Sequence, residues 1–178
     1  MTRKEAVMER KTLRARLLRF GIVAGAVASL LAAAERPLAA DGKTVEGVWI
    51  VQVQQRDCAT QQIRGTFYSL VTFVDGGTMY ESPGGVAFAP GQRSNGHGKW
   101  TRLGDSTFRM HVVAQILFTT PPNLPVSPGF EAGWQTIDHV VTLSDPDHGT
   151  SAGGAEFYRS NGELYRSTCS TAVMTRFE

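Results

Sequence analysis

His139 is the residue in this sequence whose type and setting best suit acid/base chemistry. Histidine titrates near neutral pH, and the sequence contains four. Ile137 and Val141 share the face of His139 in an alternating segment, which predicts that its side chain points into a core. Such a residue can be a hydrogen-bonded core histidine, a polar anchor in a pocket, or an acid/base group with a shifted pKa. The pattern leaves these readings open.

The other histidines and the known catalytic motifs give no comparable signal. His111 lies on the more polar face of its segment, so we expect it to face solvent, on the opposite side of the sheet from His139. His97 and His148 lie beside glycines and are typical of turns. The sequence has no His-Glu-x-x-His, Cys-x-x-Cys or Gly-x-Ser-x-Gly pattern. We therefore predict no metal, no cofactor and no catalytic residue of these classes.

The two cysteines, Cys58 and Cys169, predict one disulfide bond. An even number of cysteines in an oxidising compartment favours pairing, and the alternative is two unpaired buried thiols. A disulfide would tie the beginning of the main domain to its end.

The N-terminus has the pattern of an export signal. Residues 1–19 hold seven Lys and Arg, and residues 20–34 are fifteen uncharged, mostly apolar residues. We predict a signal peptide over 1–40 with cleavage after Ala40, or after Ala34 as the second choice, and a single domain over 41–178. The alternative is an uncleaved anchor helix, although the apolar run is short for a bilayer-spanning helix. Export predicts a periplasmic or secreted protein without stable membrane insertion after cleavage.

The charge distribution argues against a nucleic-acid partner. Residues 1–40 carry eight Lys/Arg and three Asp/Glu, a net charge of +5, whereas residues 41–178 carry ten and thirteen, a net charge of −3. The basicity therefore belongs to the predicted signal peptide, and the main domain lacks the cationic surface that nucleic-acid binding requires.

The main domain has the pattern of a β-protein. Strand-like segments alternate with Gly-rich or Pro-rich turns, among them Asp75-Gly76-Gly77 and Asn161-Gly162, which are typical of hairpins. The predicted strands cover 46–55, 66–74, 78–82, 98–103, 107–119, 134–143, 151–160 and 164–177. No helix-period segment separates them, so parallel pairing with helical crossovers is excluded. We predict an all-β fold, an eight-stranded antiparallel up-and-down β-barrel closed by the first and last strands.

Gly47-Val48-Trp49 at the start of the first strand resembles the Gly-x-Trp signature of lipocalins and other calycins. The chain also resembles small exported bacterial proteins of uncharacterised, lipocalin-like type. The resemblance implies a cup-shaped barrel that can hold a small apolar ligand. It also implies that a basic residue near the end of the barrel packs over the tryptophan, and Arg176 is placed to do so. Lipocalins usually add a helix after the barrel, and no helix pattern precedes Glu178.

The interior of this barrel is the predicted ligand site. Its expected lining is apolar, with His139 and Tyr80 as polar groups that orient a ligand. The candidate residues are Phe67, Val71, Phe73, Tyr80, Phe108, Met110, Val112, Ile116, Ile137, His139 and Val141. These large side chains could instead fill the barrel. The Pro-rich loops 83–96 and 120–132 carry Phe88, Phe118 and Phe130, which predict an apolar lid or rim.

Three functions are consistent with this sequence. The first is an exported barrel that binds a small apolar ligand, and it is the one that we favour. The second is a barrel enzyme that uses His139 with a carboxylate or Tyr80 for proton transfer. The third is a small outer-membrane barrel in which the apolar row of the fifth strand faces lipid and Arg109, His111 and Gln115 line the lumen. The sequence makes no prediction of oligomeric state.

Overall fold

The computed structural model describes residues 43–84, 88–122 and 129–178. The predicted signal peptide and both of its candidate cleavage sites lie outside this part of the chain. The described part contains eight strands: β1 (Gly47–Arg56), β2 (Ile63–Val74), β3 (Thr78–Pro83), β4 (Gly96–Arg102), β5 (Thr107–Ile116), β6 (Gly133–Leu143), β7 (His148–Arg159) and β8 (Leu164–Arg176).

The eight strands form a closed antiparallel barrel in sequence order. Each strand pairs with the next along the chain, and β1 also pairs with β8, with Trp49 opposite Arg176. Closure leaves no unpaired sheet edge, which stabilises an all-β protein against edge-to-edge association. The predicted fold class, strand number and strand order are confirmed.

Strand β5 shows why the barrel interior is apolar. Phe108, Met110 and Val112 are buried, whereas Arg109 and His111 point outward with more than half of each side chain exposed. Successive residues of a strand point to opposite faces, so the apolar row of the sequence becomes the inner wall. The outer-membrane hypothesis required this row to face lipid and is therefore wrong for this strand. Within residues 43–84, 88–122 and 129–178, no helix is long and apolar enough to cross a bilayer.

The β2–β3 hairpin corrects the prediction for Tyr80. Tyr80 shares the inner face of Val71 and Phe73 only if this hairpin has a two-residue loop. In the structure Val74 pairs with Thr78, so the loop has three residues, and Gly76 and Gly77 adopt positive φ angles of 83° and 86°. A shift of one residue reverses the faces of a strand. Tyr80 is therefore on the outer surface, 46% exposed, and packs edge-on against His97.

The barrel has two different ends. One, the Trp49 end, is closed by β1 and β8 near Trp49 and contains the larger buried cluster, which includes Phe73, Met79, Phe108, Leu143 and Met174. The other, the loop end, carries the long loops after β3 and β5. Its smaller cluster contains Ile116, Phe130, Ala155 and Phe157.

The Trp49 end explains the Gly-x-Trp pattern in physical terms. Trp49 is fully buried and donates its indole N–H to the Val45 carbonyl at 2.7 Å. The Arg176 guanidinium lies 4.3 Å from the Trp49 ring centroid, the cation–π contact that the resemblance implies. Gly47 has a φ of 119°, and a Cβ there would lie 2.6 Å from Arg176 Nη1. The positive φ angle favours glycine at this position, and a larger residue would also crowd the Arg176 guanidinium.

The predicted disulfide is present. Cys58, just after β1, is bonded to Cys169 in β8, with a Cα–Cα distance of 5.1 Å and a sequence separation of 111. The bond fastens β1 to β8 at the loop end, whereas Trp49 and Arg176 fasten the same two strands at the other end. The seam that closes the barrel is thus held at both ends.

Candidate functional site: the barrel interior

A cavity of about 100 Å³ lies between the two buried clusters. Most of its wall is apolar, and Phe88 and Phe130 border it from the loop end. The polar wall residues are Gln55, Ser69, Glu81, Gln135, His139, Ser151, Thr168 and Ser170. An apolar wall with a few polar groups is the usual composition of a small-molecule site.

The predicted lining residues divide into three groups. Those that line the cavity are Phe67, Val71, Met110, Ile137 and His139. Those that are buried in the solid clusters on either side are Phe73, Phe108, Val112, Ile116 and Val141. Tyr80 lies outside the barrel. The interior is therefore filled at the Trp49 end and hollow toward the loop end.

His139 lies in the inner wall between two serines. It is 4% exposed, its Nδ1 is 3.1 Å from Ser151 Oγ, and its Nε2 is 2.8 Å from Ser170 Oγ. Gly153 faces it across the β6–β7 pair, and a Cβ there would lie 2.5 Å from the imidazole Cδ2. The absent side chain of Gly153 thus provides the space for the imidazole.

Burial lowers the pKa of His139 to about 4, and the Asp138 carboxylate raises it by a smaller amount. The imidazole is therefore neutral at physiological pH. One ring nitrogen then donates to a serine and the other accepts from a serine, so both are engaged. In this state His139 is a hydrogen-bonded wall residue.

A buried ion pair lies at the loop end of the cavity. Arg93 Nη2 is 2.7 Å from Glu81 Oε2, with only 2% and 9% of the two side chains exposed. Arg93 also donates from Nε to Gln135 Oε1 at 2.5 Å, and Ser69 Oγ donates to Glu81 Oε1 at 2.9 Å. A buried charge must be paired and hydrogen-bonded to be tolerated, and this network provides both.

The loops at this end form an aromatic cover. Phe88 stacks on Phe130 at 4.4 Å between centroids, and Phe130 packs on Phe157 at 5.0 Å. The guanidinium of Arg166 lies 4.8 Å from the Phe130 centroid on the other side. Two of the three predicted lid aromatics therefore form the cover, whereas Phe118 is 43% exposed and takes no part in it.

Gln92 joins the two loops to each other. It is fully buried, and its Nε2 donates to the Phe118 carbonyl and to Thr120 Oγ1, both at 2.9 Å. Its Oε1 accepts the N–H of Ala89 at 3.1 Å. The aromatic cover is thus backed by buried hydrogen bonds and is a built part of the barrel.

Sequence reasoning missed most of the polar wall. The sequence did not predict Ser69, Glu81, Gln135 or Arg93 as site residues. The signal available was the period-2 spacing of Gln135 and His139 along β6. Arg93 belongs to the loop before β4, where no periodicity predicts the direction of a side chain.

The geometry does not assemble a metal site. The described residues contain no cluster of three or more His, Cys, Asp or Glu suited to a metal ion. His139 pairs with Met110, whereas His111 pairs with Asp138, so the two histidines lie on opposite faces of the sheet. His111 Nδ1 is 3.4 Å from Asp138 Oδ2 on the outer surface.

No family model matches this sequence, and a search of curated proteins gives no significant match.

Proposed function

We propose that this protein is an exported, calycin-like barrel that binds one small, mostly apolar ligand in its interior cavity. The cavity of about 100 Å³ between two packed clusters supports this proposal most strongly. Protein interiors are otherwise close-packed, and an unfilled space costs stability. A ligand that fills it would recover the lost dispersion contacts.

The position of the cavity also supports binding. It lies toward the end that carries the long loops, under the Phe88–Phe130 stack, and the opposite end is filled by Trp49 and its neighbours. A barrel that is solid at one end and hollow beneath a loop cover has the form of a cup. The Gly47–Trp49–Arg176 arrangement gives a second, independent support for the calycin resemblance.

The volume limits the size of the ligand. An engineered cavity of about 150 Å³ holds benzene, so a space of about 100 Å³ suits about four to six non-hydrogen atoms without rearrangement. A longer ligand would have to displace Phe88 or Phe130. The proposal is therefore for a small molecule.

Export is supported by the N-terminal pattern and by the disulfide. Seven cations followed by fifteen uncharged residues are typical of a secretory signal. The Cys58–Cys169 bond fits an oxidising compartment.

Native mass spectrometry tests the proposal. The protein is produced from the full chain in an exporting host and purified without detergent, and its mass is measured natively and after denaturation. We expect an additional small mass that is lost on denaturation. Ala155→Leu should abolish it because Ala155 lines the cavity, whereas Ala152→Leu, on the same strand but exposed, should not. Retention of the additional mass by Ala155→Leu would place the ligand elsewhere.

If the native mass shows no additional ligand, the protein is titrated with small apolar compounds, because a weakly bound ligand is lost during purification. Binding that Ala155→Leu abolishes and Ala152→Leu preserves would support the proposal. Absence of binding by every compound small enough for the cavity would overturn it.

A further inference from the structure

Gln135 carries a polar group that faces the cavity without a partner. The Nε2 group of Gln135 has no hydrogen-bond acceptor among the described residues, although Gln135 is only 7% exposed. Within the described part of the chain, no fully buried side-chain nitrogen or oxygen is unpaired. The Nε2 atom must therefore face open space, and the open space that Gln135 lines is the cavity.

The orientation of the Gln135 amide is fixed by Arg93. Arg93 Nε is a donor and can pair only with the amide oxygen, which lies 2.5 Å away. The amide NH₂ must then point away from the guanidinium. Gln135 consequently presents a hydrogen-bond donor to the cavity.

Glu81 presents an acceptor beside this donor. Its Oε2 is bound to Arg93, whereas its Oε1 accepts from Ser69, and both Ser69 and Glu81 line the cavity. A carboxylate oxygen has room for two hydrogen bonds, so Oε1 can accept one more.

The Gln135 amide and the Glu81 carboxylate are neighbours because one side chain holds both. Gln135 binds Nε and Glu81 binds Nη2 of Arg93, which form one edge of the guanidinium. Arg109 uses the same two nitrogens to bind both carboxylate oxygens of Asp138, which shows that they can hold two oxygens side by side. The amide of Gln135 and the carboxylate of Glu81 therefore lie side by side at this end of the cavity.

The charge of this end selects among polar ligands. Arg93 neutralises Glu81, and the described wall of the cavity contains no other charged group. A ligand carboxylate would meet the Glu81 carboxylate without a cation of its own. A hydroxyl, in contrast, can accept from Gln135 and donate to Glu81 at once.

We propose that the ligand is a small neutral alcohol whose hydroxyl lies between Gln135 Nε2 and Glu81 Oε1 and whose apolar part lies along Phe67 and Ile137. This proposal rests on the proposed function, since it concerns the same cavity. We expect no hydrogen bond between His139 and the ligand, because both ring nitrogens of His139 are already paired with serines.

Three matched probes test the proposal: n-pentanol, butyl methyl ether and butanoate. The alcohol and the ether have the same number of non-hydrogen atoms, but the ether cannot donate to Glu81. Each probe is titrated at neutral pH into isotope-labelled protein from the exported full chain, and binding is followed by amide chemical shifts in NMR. We expect n-pentanol to bind about tenfold more tightly than the ether, since a hydrogen bond to a charged acceptor is lost. Butanoate should bind most weakly.

A pair of variants locates the donor. Gln135→Met should weaken binding of both the alcohol and the ether by about fivefold, because each loses the hydrogen bond from Nε2. Gln115→Met, the same change on the outer face of β5, should leave both affinities unchanged. The probe comparison on the unmodified protein does not depend on the stability of either variant.

The possible outcomes separate the two proposals. If no probe shifts the resonances of cavity residues, both the ligand-binding function and the proposal of an alcohol ligand are contradicted. If the ether binds as well as the alcohol, or butanoate binds best, the alcohol proposal is contradicted and the binding function stands. If the alcohol binds best and Gln135→Met weakens it while Gln115→Met does not, the alcohol proposal is supported.

Discussion

Replacing Arg93 by methionine would leave the Glu81 carboxylate buried without its cation. The two side chains are 2% and 9% exposed and 2.7 Å apart, so water cannot replace the lost partner. Removing one member of a buried pair costs about 3–5 kcal/mol of folding free energy. We expect Arg93→Met to lower the free energy of unfolding by this amount and to remove the contact of the guanidinium with Phe88, which lies 5.6 Å away.

Urea unfolding followed by tryptophan fluorescence measures this loss, with the disulfide kept oxidised. Arg109→Met is the matched control because Arg109 also pairs with a carboxylate, that of Asp138, but on the exposed outer surface. Its effect should be much smaller, since exposed ion pairs contribute little. Equal effects of the two substitutions would refute the assignment of Glu81 and Arg93 as a desolvated pair.

A double-mutant cycle sharpens the test. Glu81→Gln alone leaves the arginine unpaired, and Arg93→Met alone leaves the carboxylate unpaired. Combining them removes both charges, so the double variant should be more stable than the sum of the single losses predicts. Additive losses would show that the two groups do not depend on each other.

Three further predictions concern other parts of the barrel. As pH falls from 6.5 to 4, His139 takes up a proton in the unfolded chain but not in the folded protein, which lowers the free energy of unfolding by about 3 kcal/mol. Urea unfolding across this pH range should show this loss of stability, and the loss should be smaller in His139→Gln. Replacing Cys58 and Cys169 by serine should cost about 4–5 kcal/mol in the chain-entropy model, and an unchanged urea midpoint would contradict it. Arg176→Met removes the cation from the face of Trp49 and should lower the free energy of unfolding by about 1–3 kcal/mol. If this variant has the same Trp49 fluorescence and the same stability as the unmodified protein, the contact is contradicted.

The architecture of this protein could be predicted because it depends on local periodicity. The alternation along β5 identified its inner and outer rows correctly, and the buried positions follow it residue by residue. The lack of helical segments then required antiparallel neighbours, and the two cysteines indicated which strands meet. Each of these inferences uses only spacing along the chain and the geometry of a strand.

The position of Tyr80 could not be predicted because it depends on one residue of loop length. Asp75-Gly76-Gly77 is compatible with a two-residue or a three-residue loop, and the choice reverses every side chain of β3. The structure consequently places Met79 and Glu81 inside, and Glu81 becomes half of the buried ion pair. A small uncertainty in the hairpin thus concealed a central part of the candidate site.

The remaining polar wall depends on contacts between residues far apart in the sequence. Arg93 reaches Gln135 across forty-two positions, and His139 reaches Ser170 across thirty-one. Neither contact follows from composition or period, because each is set by barrel closure and by the path of a loop. The predicted apolar lining was only partly correct for the same reason, since closure decides which inward residues pack and which surround a cavity.

Both proposals require a hollow interior, and diffraction from a crystal pressurised with xenon tests it most directly. Xenon enters apolar cavities of this kind. We expect a xenon peak inside the barrel near Phe67 and Ile137, and its loss in Ala155→Leu but not in Ala152→Leu. Continuous side-chain density across this region, with no xenon peak, would contradict the account.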